Sequence, residues 1–486
     1  MSHRSPIGRG SLLGLKVLAA ALSLTVLVGS GWAWATFRSF TADIPSFSLR
    51  PPGPHRDIDG QDQNILLVGN DDRGNATPQE LAELGTQADG GSLNTDTMML
   101  LHVPADGRKA TIISFPRDTY VSIPGHGKAK LNSAYPTGVA AGHGDKAQGA
   151  DLLSATIEDL TGLKIDHFVQ VGLLGFYRIS NAIGGVDLCL NEDARPASSP
   201  AEINQPGIDA GWENGQFIPS YTHINLHKGI NKNVQGQQAL AFVRQRHGLP
   251  GGDLDRIKRQ QVFLSAVFGK LYSQGTVTNP LRIEHLLKAI SSSLSMDDQL
   301  AANPFRLADQ LQNLTAGNLT FASLPLLPQR PTIDGAEVLL PDTAAIPGFI
   351  QGVLGNPVPA TIKNAKPADP HQVQVAVVND TSGNGVENTN AAALRALGFQ
   401  VNIPAPTAEV LDRTTITYGP GQESAARAVL DVVPGAVTVA SRAATGVTLA
   451  LGDNGVQVKT LVKPGTSSSH AAAPPVITAD HPGCVN

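Results

Sequence analysis

The sequence predicts an α/β chain: an α/β/α layered domain with a central mixed sheet, an amino-terminal transmembrane helix before it and a small second α/β domain after it. Three observations predict this. Continuous apolar runs such as NILLVG (64–69) and TDTMMLLHV (95–103) read as strands buried on both faces. Amphipathic helical stretches alternate with these runs, the pattern of a layered α/β fold. A stretch of 19 residues without charge, VLAAALSLTVLVGSGWAWA (17–35), stands near the amino end.

Composition narrows the class. A chain of 486 residues with 41% hydrophobic and 16% charged residues can build more than one core. A net charge of -5 and 5% aromatics offer neither the basic surface nor the stacking platform that nucleic acid needs, so none is expected as partner.

The elements follow in order. Residues 1–14 carry His3, Arg4 and Arg9 and no acid, and the apolar run behind them is long enough to span a bilayer. Trp32 and Trp34 suit the membrane interface, and the basic flank stays inside, which puts the rest of the chain outside. A cleavable leader ending at Ala33-Trp-Ala35 is the rival reading; the length of the run favours an uncleaved anchor. The predicted division is a cytoplasmic tail at 1–16, the anchor at 17–37, a spacer at 38–58, the main domain at 59–355, a linker at 356–371, the second domain at 372–458 and a flexible tail at 459–486.

In the main domain, strands are expected at 64–69, 95–103, 109–115, 120–123, 165–171, 185–190, 241–246, 319–324 and 337–340. Helices are expected at 147–160, 173–183, from 253 onward, at 280–294 and at 305–314, with one short helical piece inside a loop at 76–92. Residues 191–233 read as long, polar and irregular, the signature of a functional loop or lid. The second domain reads as strands at 373–378, 399–403, 414–418 and 447–451, with helices at 386–397 and 423–430.

Chemistry concentrates in residues 241–261, AFVRQRHGLPGGDLDRIKRQQ. If 241–246 is a strand, Arg244 and Arg246 share a face. Gly248–Gly252 is turn chemistry, and Asp253 or Asp255 can cap the helix that follows. On that helix Arg256, Arg259 and Gln260 fall on one face. Guanidinium forks match phosphate oxygens better than any other side chain, so this unit reads as a phosphate site; the plainer alternative is a solvated basic face.

More charge stands at strand ends, where α/β folds bind ligands. Asp71, Asp72 and Arg73 end one strand, and Arg117 and Asp118 end another. Asp96 opens the strand between them and joins the same rim if that strand is antiparallel. Asp71 and Asp96 form a carboxylate pair suited to magnesium, a hard cation that takes few carboxylates plus phosphate oxygens. Each acid alone has a plainer reading: a turn cap for Asp72, a strand-end cap for Asp96, an orienting partner of Arg117 for Asp118.

Other catalytic signatures are absent. The thirteen histidines form no HxH or HExxH, and only His247 stands near the arginines. No GxGxxG after a strand, Walker loop or GxSxG occurs, and Ser133 and Tyr135 in KLNSAY read as turn and packing residues. Cys189 and Cys484 form no zinc pattern; outside the membrane they are permitted to pair as a disulfide.

Together the blocks NILLVGNDDR, NTDTMMLLHV, ISFPRDTYVSIPG, KLNSAY, IDHFVQVGLLGFYRISNAIGGVDLCL and ALAFVRQRHGLPGGDLDRIKRQQ resemble, in order, those of LytR-CpsA-Psr proteins. VAVVNDTSGNGV and ITYG resemble the LytR carboxyl-terminal domain found on actinobacterial members. The resemblance implies a membrane-anchored phosphotransferase with its catalytic domain facing the wall. It moves a glycopolymer, arabinogalactan or teichoic-acid-like, from a polyprenyl pyrophosphate lipid to peptidoglycan.

The resemblance also assigns residues. Asp71 and Asp96 would hold Mg2+ or Mn2+, with Asp72 competing with Asp71; Arg73, Arg117, Arg244, Arg246, Arg256 and Gln260 would bind the pyrophosphate. Arg117, Asp118, Arg244 and Arg246 would serve catalysis, Asp118 or the metal assisting deprotonation of the acceptor. Arg259 is not singled out and is expected to face solvent. An apolar groove for the lipid is expected around 165–183. Two further readings stay open: a pyrophosphatase in which water replaces the acceptor, and a non-enzymatic wall-polymer binder. The arginine and aspartate set argues against the binder.

The anchor reading has a direct check. Amino-terminal sequencing of protein recovered from membranes is expected to find Met1 or Ser2, whereas a start at Thr36 overturns it.

Overall fold

The computed structural model describes residues 45–49, 62–71, 77–84, 93–273, 294–302, 314–355, 358–405, 411–452, 456–459, 477–478 and 483–486, apart from single positions at 106, 108, 315, 344, 382, 384, 412 and 443. The expected span at 17–35, nearly all of the helices expected at 280–294 and 305–314, Asp72 and Arg73 lie outside these residues. So does the expected spacer at 38–58 apart from 45–49, which is not merely a spacer, since Ser46–Phe47 pairs with Met296–Asp297. Among the described residues no helix is long and apolar enough to cross a membrane.

The centre of the main domain is a mixed eight-stranded sheet. Four of its strands are β1 (Ser46–Phe47), β2 (Gln63–Asn70), β3 (Thr95–Val103) and β4 (Ala110–Phe115). The spatial order is β1, Leu294–Asp297, His167–Val171, β2, β3, β4, Leu319–Ser323 and Ile477–Thr478. β2 runs parallel to His167–Val171, and β4 runs parallel to Leu319–Ser323. β3 runs antiparallel to both β2 and β4.

Strand side chains alternate between faces, and both faces are apolar. Leu66, Val68, Leu100 and Ile113 meet Leu153 and Ile157 of the Lys146–Thr161 helix on one face. Ile65, Leu101 and Ile112 meet Leu264 and Phe268 of the Asp253–Ser273 helix on the other. Each such fully buried side chain contributes about 1.5–3 kcal/mol. The Lys146–Thr161 helix starts where the Asp145 side chain accepts from Ala147 N at 2.9 Å and stops at Gly162 with φ 76°.

The second unit has its own five-stranded sheet and its own core around Val375, Val377, Leu394, Ile416, Val429 and Leu449. It includes a strand, Val437–Ala440, not anticipated from sequence. Gln351 Nε2 donates to Gly435 O at 2.9 Å, a contact between the two units.

Several expectations need correction. Residues 241–246 are not a strand: Gly236–Arg244 is a helix, with Ala239, Leu240, Ala241, Phe242 and Val243 all buried. A short apolar run carries no period that separates strand from helix, and Ala and Leu favour the helix. Residues 191–233 are not wholly irregular. Gly211–Glu213 pairs with Gln216–Ile218 across Asn214 (φ 49°) and Gly215 (φ 78°), and Gly229–Val234 pairs with Val186–Leu190. Asn-Gly between two short runs was the available hairpin signal. Helices at Ala134–Ala141 and Ile346–Val353 were also missed.

The expected flexible tail at 459–486 contains ordered strands. Ile477–Thr478 extends the main sheet and Cys484–Val485 pairs with Val186–Leu190. Cys189 and Cys484 are joined as a disulfide, with Cα atoms 4.5 Å apart.

The Ala134–Ala141 helix crosses the Lys146–Thr161 helix at two glycines. A Cβ on Gly138 would lie 2.4 Å from Gln148 O and 2.8 Å from Gly149 Cα. Gly138→Ala is therefore expected to destabilise the domain by about 1–3 kcal/mol, the usual range for overpacking, measured by denaturant unfolding. An unchanged midpoint would show that the crossing is looser than this.

Candidate active site

The sheet topology gathers the site. Because β3 is antiparallel to its neighbours, its amino end lies beside the carboxyl ends of β2 and β4: Asn70 pairs with Thr95, and Met98 with Phe115. Asp71, Asp96, Arg117 and Asp118 therefore sit along one rim. The backbone after β4 is tied down, since Asn132 N donates to Arg117 O at 3.1 Å and Leu339 N to Asp118 O at 2.9 Å.

The Asp253–Ser273 helix brings its first turns to the same rim. Arg256 Nη2 donates to Asp96 O at 3.1 Å, and Gln260 Nε2 donates to Thr97 Oγ1 at 2.9 Å. Arg244, the last residue of the preceding helix, places Nη2 at 3.7 Å from Asp71 Oδ1.

Asp253 is the hub. Its Oδ1 lies 3.0 Å from Arg256 Nη2, 3.2 Å from Arg246 Nε and 3.7 Å from Arg117 Nε. Arg117 also pairs with Asp96 at 2.5 Å and with Asp118 at 3.6 Å. Lys130 Nζ closes the chain at 2.7 Å from Asp118 Oδ1. Burial opposes the Arg117 charge, but the Asp96 and Asp253 carboxylates overcome it and raise its pKa. At Arg256 burial wins and lowers the pKa, against the pull of Asp253. Arg117 Nε and Arg256 Nε are buried without hydrogen-bond partners among the described residues. Buried polar atoms left unsatisfied in one place mark a site for a ligand better than a finished structural network.

The expected site residues divide as follows. Asp71, Asp96, Arg117, Asp118, Arg244, Arg246, Arg256 and Gln260 come together through the contacts above. Arg259 does not join them and does not face solvent; it is 1% exposed and bonded elsewhere. A helix advances about 100° per residue, so Arg256 and Gln260 reach β3 while Arg259 turns aside.

Among the remaining candidates, His247 stacks on Tyr221 with ring centroids 4.1 Å apart. Tyr135 is buried against Phe168, and Ser133 Oγ bonds Lys130 O at 2.6 Å, both packing or turn roles. Around 165–183, Leu173, Phe176 and Tyr177 pack into the core. Sequence reasoning missed Lys130, and it took Asp253 only as a cap. The spacing of Asp253 three residues before Arg256 was the available signal.

Fold and site together define an α/β protein with a cluster of guanidinium groups and carboxylates on the rim of a mixed sheet. Residues 49–348 match the model of the LytR_cpsA_psr family, and residues 372–454 match that of the LytR cell envelope-related transcriptional attenuator. The chain belongs to the LytR_cpsA_psr family. It is 32% identical over 465 residues to the cell wall biosynthesis protein LcpA of Corynebacterium glutamicum, covering 87% of this chain and 85% of that one. It is 32% identical over 235 residues to a polyisoprenyl-teichoic acid–peptidoglycan teichoic acid transferase, TagU of Oceanobacillus iheyensis, covering 48% of this chain and 59% of the relative. The crystal structure of B. subtilis TagV aligns with 62% of this chain and 99% of its own at 20% identity and a TM-score of 0.44.

Lysine keeps the charge of arginine but loses the planar fork. Arg244→Lys and Arg256→Lys are each expected to weaken binding of inorganic pyrophosphate about ten- to a hundred-fold by calorimetry, the weight of a charged hydrogen bond. Arg246→Lys should cost less, because that side chain is 47% exposed. Wild-type affinity in all three variants would mean a solvated surface.

Proposed function

We propose that this chain is a phosphotransferase that ligates a glycopolymer from a polyprenyl pyrophosphate lipid to peptidoglycan, working at the outer face of the cell membrane. The observation that carries the reading is Asp253 held among Arg117, Arg246 and Arg256, a carboxylate occupying an anion cradle. The printed names of the relatives, cell wall biosynthesis and teichoic acid transfer to peptidoglycan, support the same reading. The uncharged run at 17–35 supports the location.

The residues divide the work. Arg117, Arg244, Arg246 and Arg256, with Arg73, neutralise the pyrophosphate, and Gln260 adds a neutral contact. Asp71 and Asp96 fit a divalent cation by donor chemistry: two hard carboxylates beside a phosphate site, to be completed by phosphate oxygens. Each is paired with an arginine, so binding Mg2+ or Mn2+ exchanges those ion pairs. When bound, the cation screens the charge that builds on the transferring phosphoryl group.

Asp118, held between Lys130 and Arg117, receives the proton of the acceptor hydroxyl. The acceptor oxygen bonds to the phosphorus that bears the sugar. The bridging P–O bond breaks and lipid monophosphate leaves. Fixed guanidinium groups stabilise the charge that develops, with no reorganisation at the moment of reaction.

The test is incubation of the full-length protein with labelled lipid-linked polymer, with and without peptidoglycan fragments. Label is expected on peptidoglycan; release to water alone would make the protein a pyrophosphatase. Asp71→Ala and Asp96→Ala are expected to abolish metal-dependent turnover with the circular dichroism spectrum unchanged. Wild-type rates in both variants across a magnesium titration would sink the carboxylate-pair reading.

A further inference from the structure

Arg259 is a buried cation on the helix that carries Arg256 and Gln260, yet its hydrogen bonds among the described residues go elsewhere than the rim. Its Nη1 donates to Gln245 Oε1 at 2.7 Å, its Nε donates to the main-chain oxygen of Asn486, and its guanidinium lies 4.9 Å from the Phe242 ring centroid. Burial lowers its pKa to about 10, with Asp209 and Asp255 opposing, so it stays charged at neutral pH.

Gln245 stands between Arg244 and Arg246 and is fully buried. Its Nε2 donates to His247 O at 2.9 Å and to Gly207 O at 3.1 Å. Gly207 N in turn donates to Gly248 O at 2.8 Å. Gly248, at φ 74°, lies so close to Ile208 that a Cβ there would sit 2.4 Å from Ile208 O. The turn that aims Arg244 and Arg246 is thus held through Gln245, and Gln245 is held by Arg259.

The second anchor of Arg259 comes from far along the chain. Cys484 and Val485 pair with Cys189 and Leu190, and the disulfide locks that register. Asn191 N donates to Val485 O at 2.8 Å, and Asn191 Nδ2 to Asn486 Oδ1 at 3.1 Å. Residue 486 is therefore delivered to Arg259 by a covalent tie.

We infer that Arg259 is a positioning residue: it joins the Arg244–Arg246 turn to the Arg256–Gln260 helix, and the disulfide-held residues 484–486 complete its hold. This deepens the pyrophosphate reading above and rests on it for the kinetic readout only. A guanidinium donates in two directions at once, as these two anchors require; an ammonium cannot copy that fork.

The test uses full-length protein and three variants: Gln245→Glu, Arg259→Lys and the double variant Cys189→Ser with Cys484→Ser. Glu at 245 can still pair with Arg259 but cannot donate to the oxygens of Gly207 and His247, so it separates folding from positioning. Hydrogen exchange over 244–252 is expected to speed up in all three variants, while β3 stays protected. Inorganic pyrophosphate affinity and the KM for the lipid substrate are expected to weaken about ten-fold, the low end for a hydrogen bond to a charged group, with a smaller effect on kcat.

Unchanged exchange over 244–252 in Gln245→Glu and in the double serine variant would overturn the inference. Faster exchange with wild-type pyrophosphate affinity would overturn it too, since the turn would then be held without aiming the arginines. The exchange measurement needs no substrate, so it stands apart from any failure of the transferase reading.

Discussion

Guanidinium groups gathered at one rim repel one another, and this repulsion is the constraint on which the site depends. Two unit charges 4 Å apart interact with about 4 kcal/mol at the effective dielectric of a partly buried site. Arg117, Arg246 and Arg256 approach within that range of one Asp253 oxygen. The carboxylates of Asp71, Asp96, Asp118 and Asp253 make the cluster tolerable without ligand. In the proposed reading an arriving pyrophosphate supplies the same kind of charge with more oxygens, and the Asp253 carboxylate stands in for it in the folded state.

That balance needs a rigid frame. Antiparallel β3, set between β2 and β4, presents Asp96 and Thr97 next to Asp71 and Arg117. Helices cover both faces of the sheet. The Asp253–Ser273 helix does two jobs at once. Leu264 and Phe268, half-buried, pack against the core, and Arg256 and Gln260 reach β3. Fixing that helix by apolar packing fixes the arginine by geometry.

The arginines following the helix Gly236–Arg244 depend on polar packing instead. Arg244 and Arg246 flank Gln245, which is fully buried, and the turn that follows adds one buried apolar side chain, Leu249. A buried amide that spends both donors on main-chain oxygens specifies a backbone path more narrowly than apolar contacts do. Residues 484–486, tied by the disulfide across 295 positions of sequence, belong to the same arrangement. Chain order and spatial order part company most at this point.

What the sequence by itself determined was the layered α/β class, the central strands and the composition of the site. Asp71, Asp96, Arg117 and Asp118 were legible because polar residues at the ends of apolar strands fall on a rim, and Arg256 and Gln260 because i, i+4 pairs share a helix face. Arg244 and Arg246 were picked out with the right residue type on the wrong element, a strand where the chain forms a helix end. Tertiary structure decided the rest. Whether 241–246 was strand or helix rested on burial, which a five-residue apolar run does not encode. Whether Arg259 faced phosphate, solvent or core rested on where residue 486 lies, a contact 227 positions away. Lys130 and the hub role of Asp253 also required the fold, since a carboxylate becomes a hub only when several chain segments bring their charges to it. Local periodicity writes faces and ends into the sequence; which faces meet is settled only by packing.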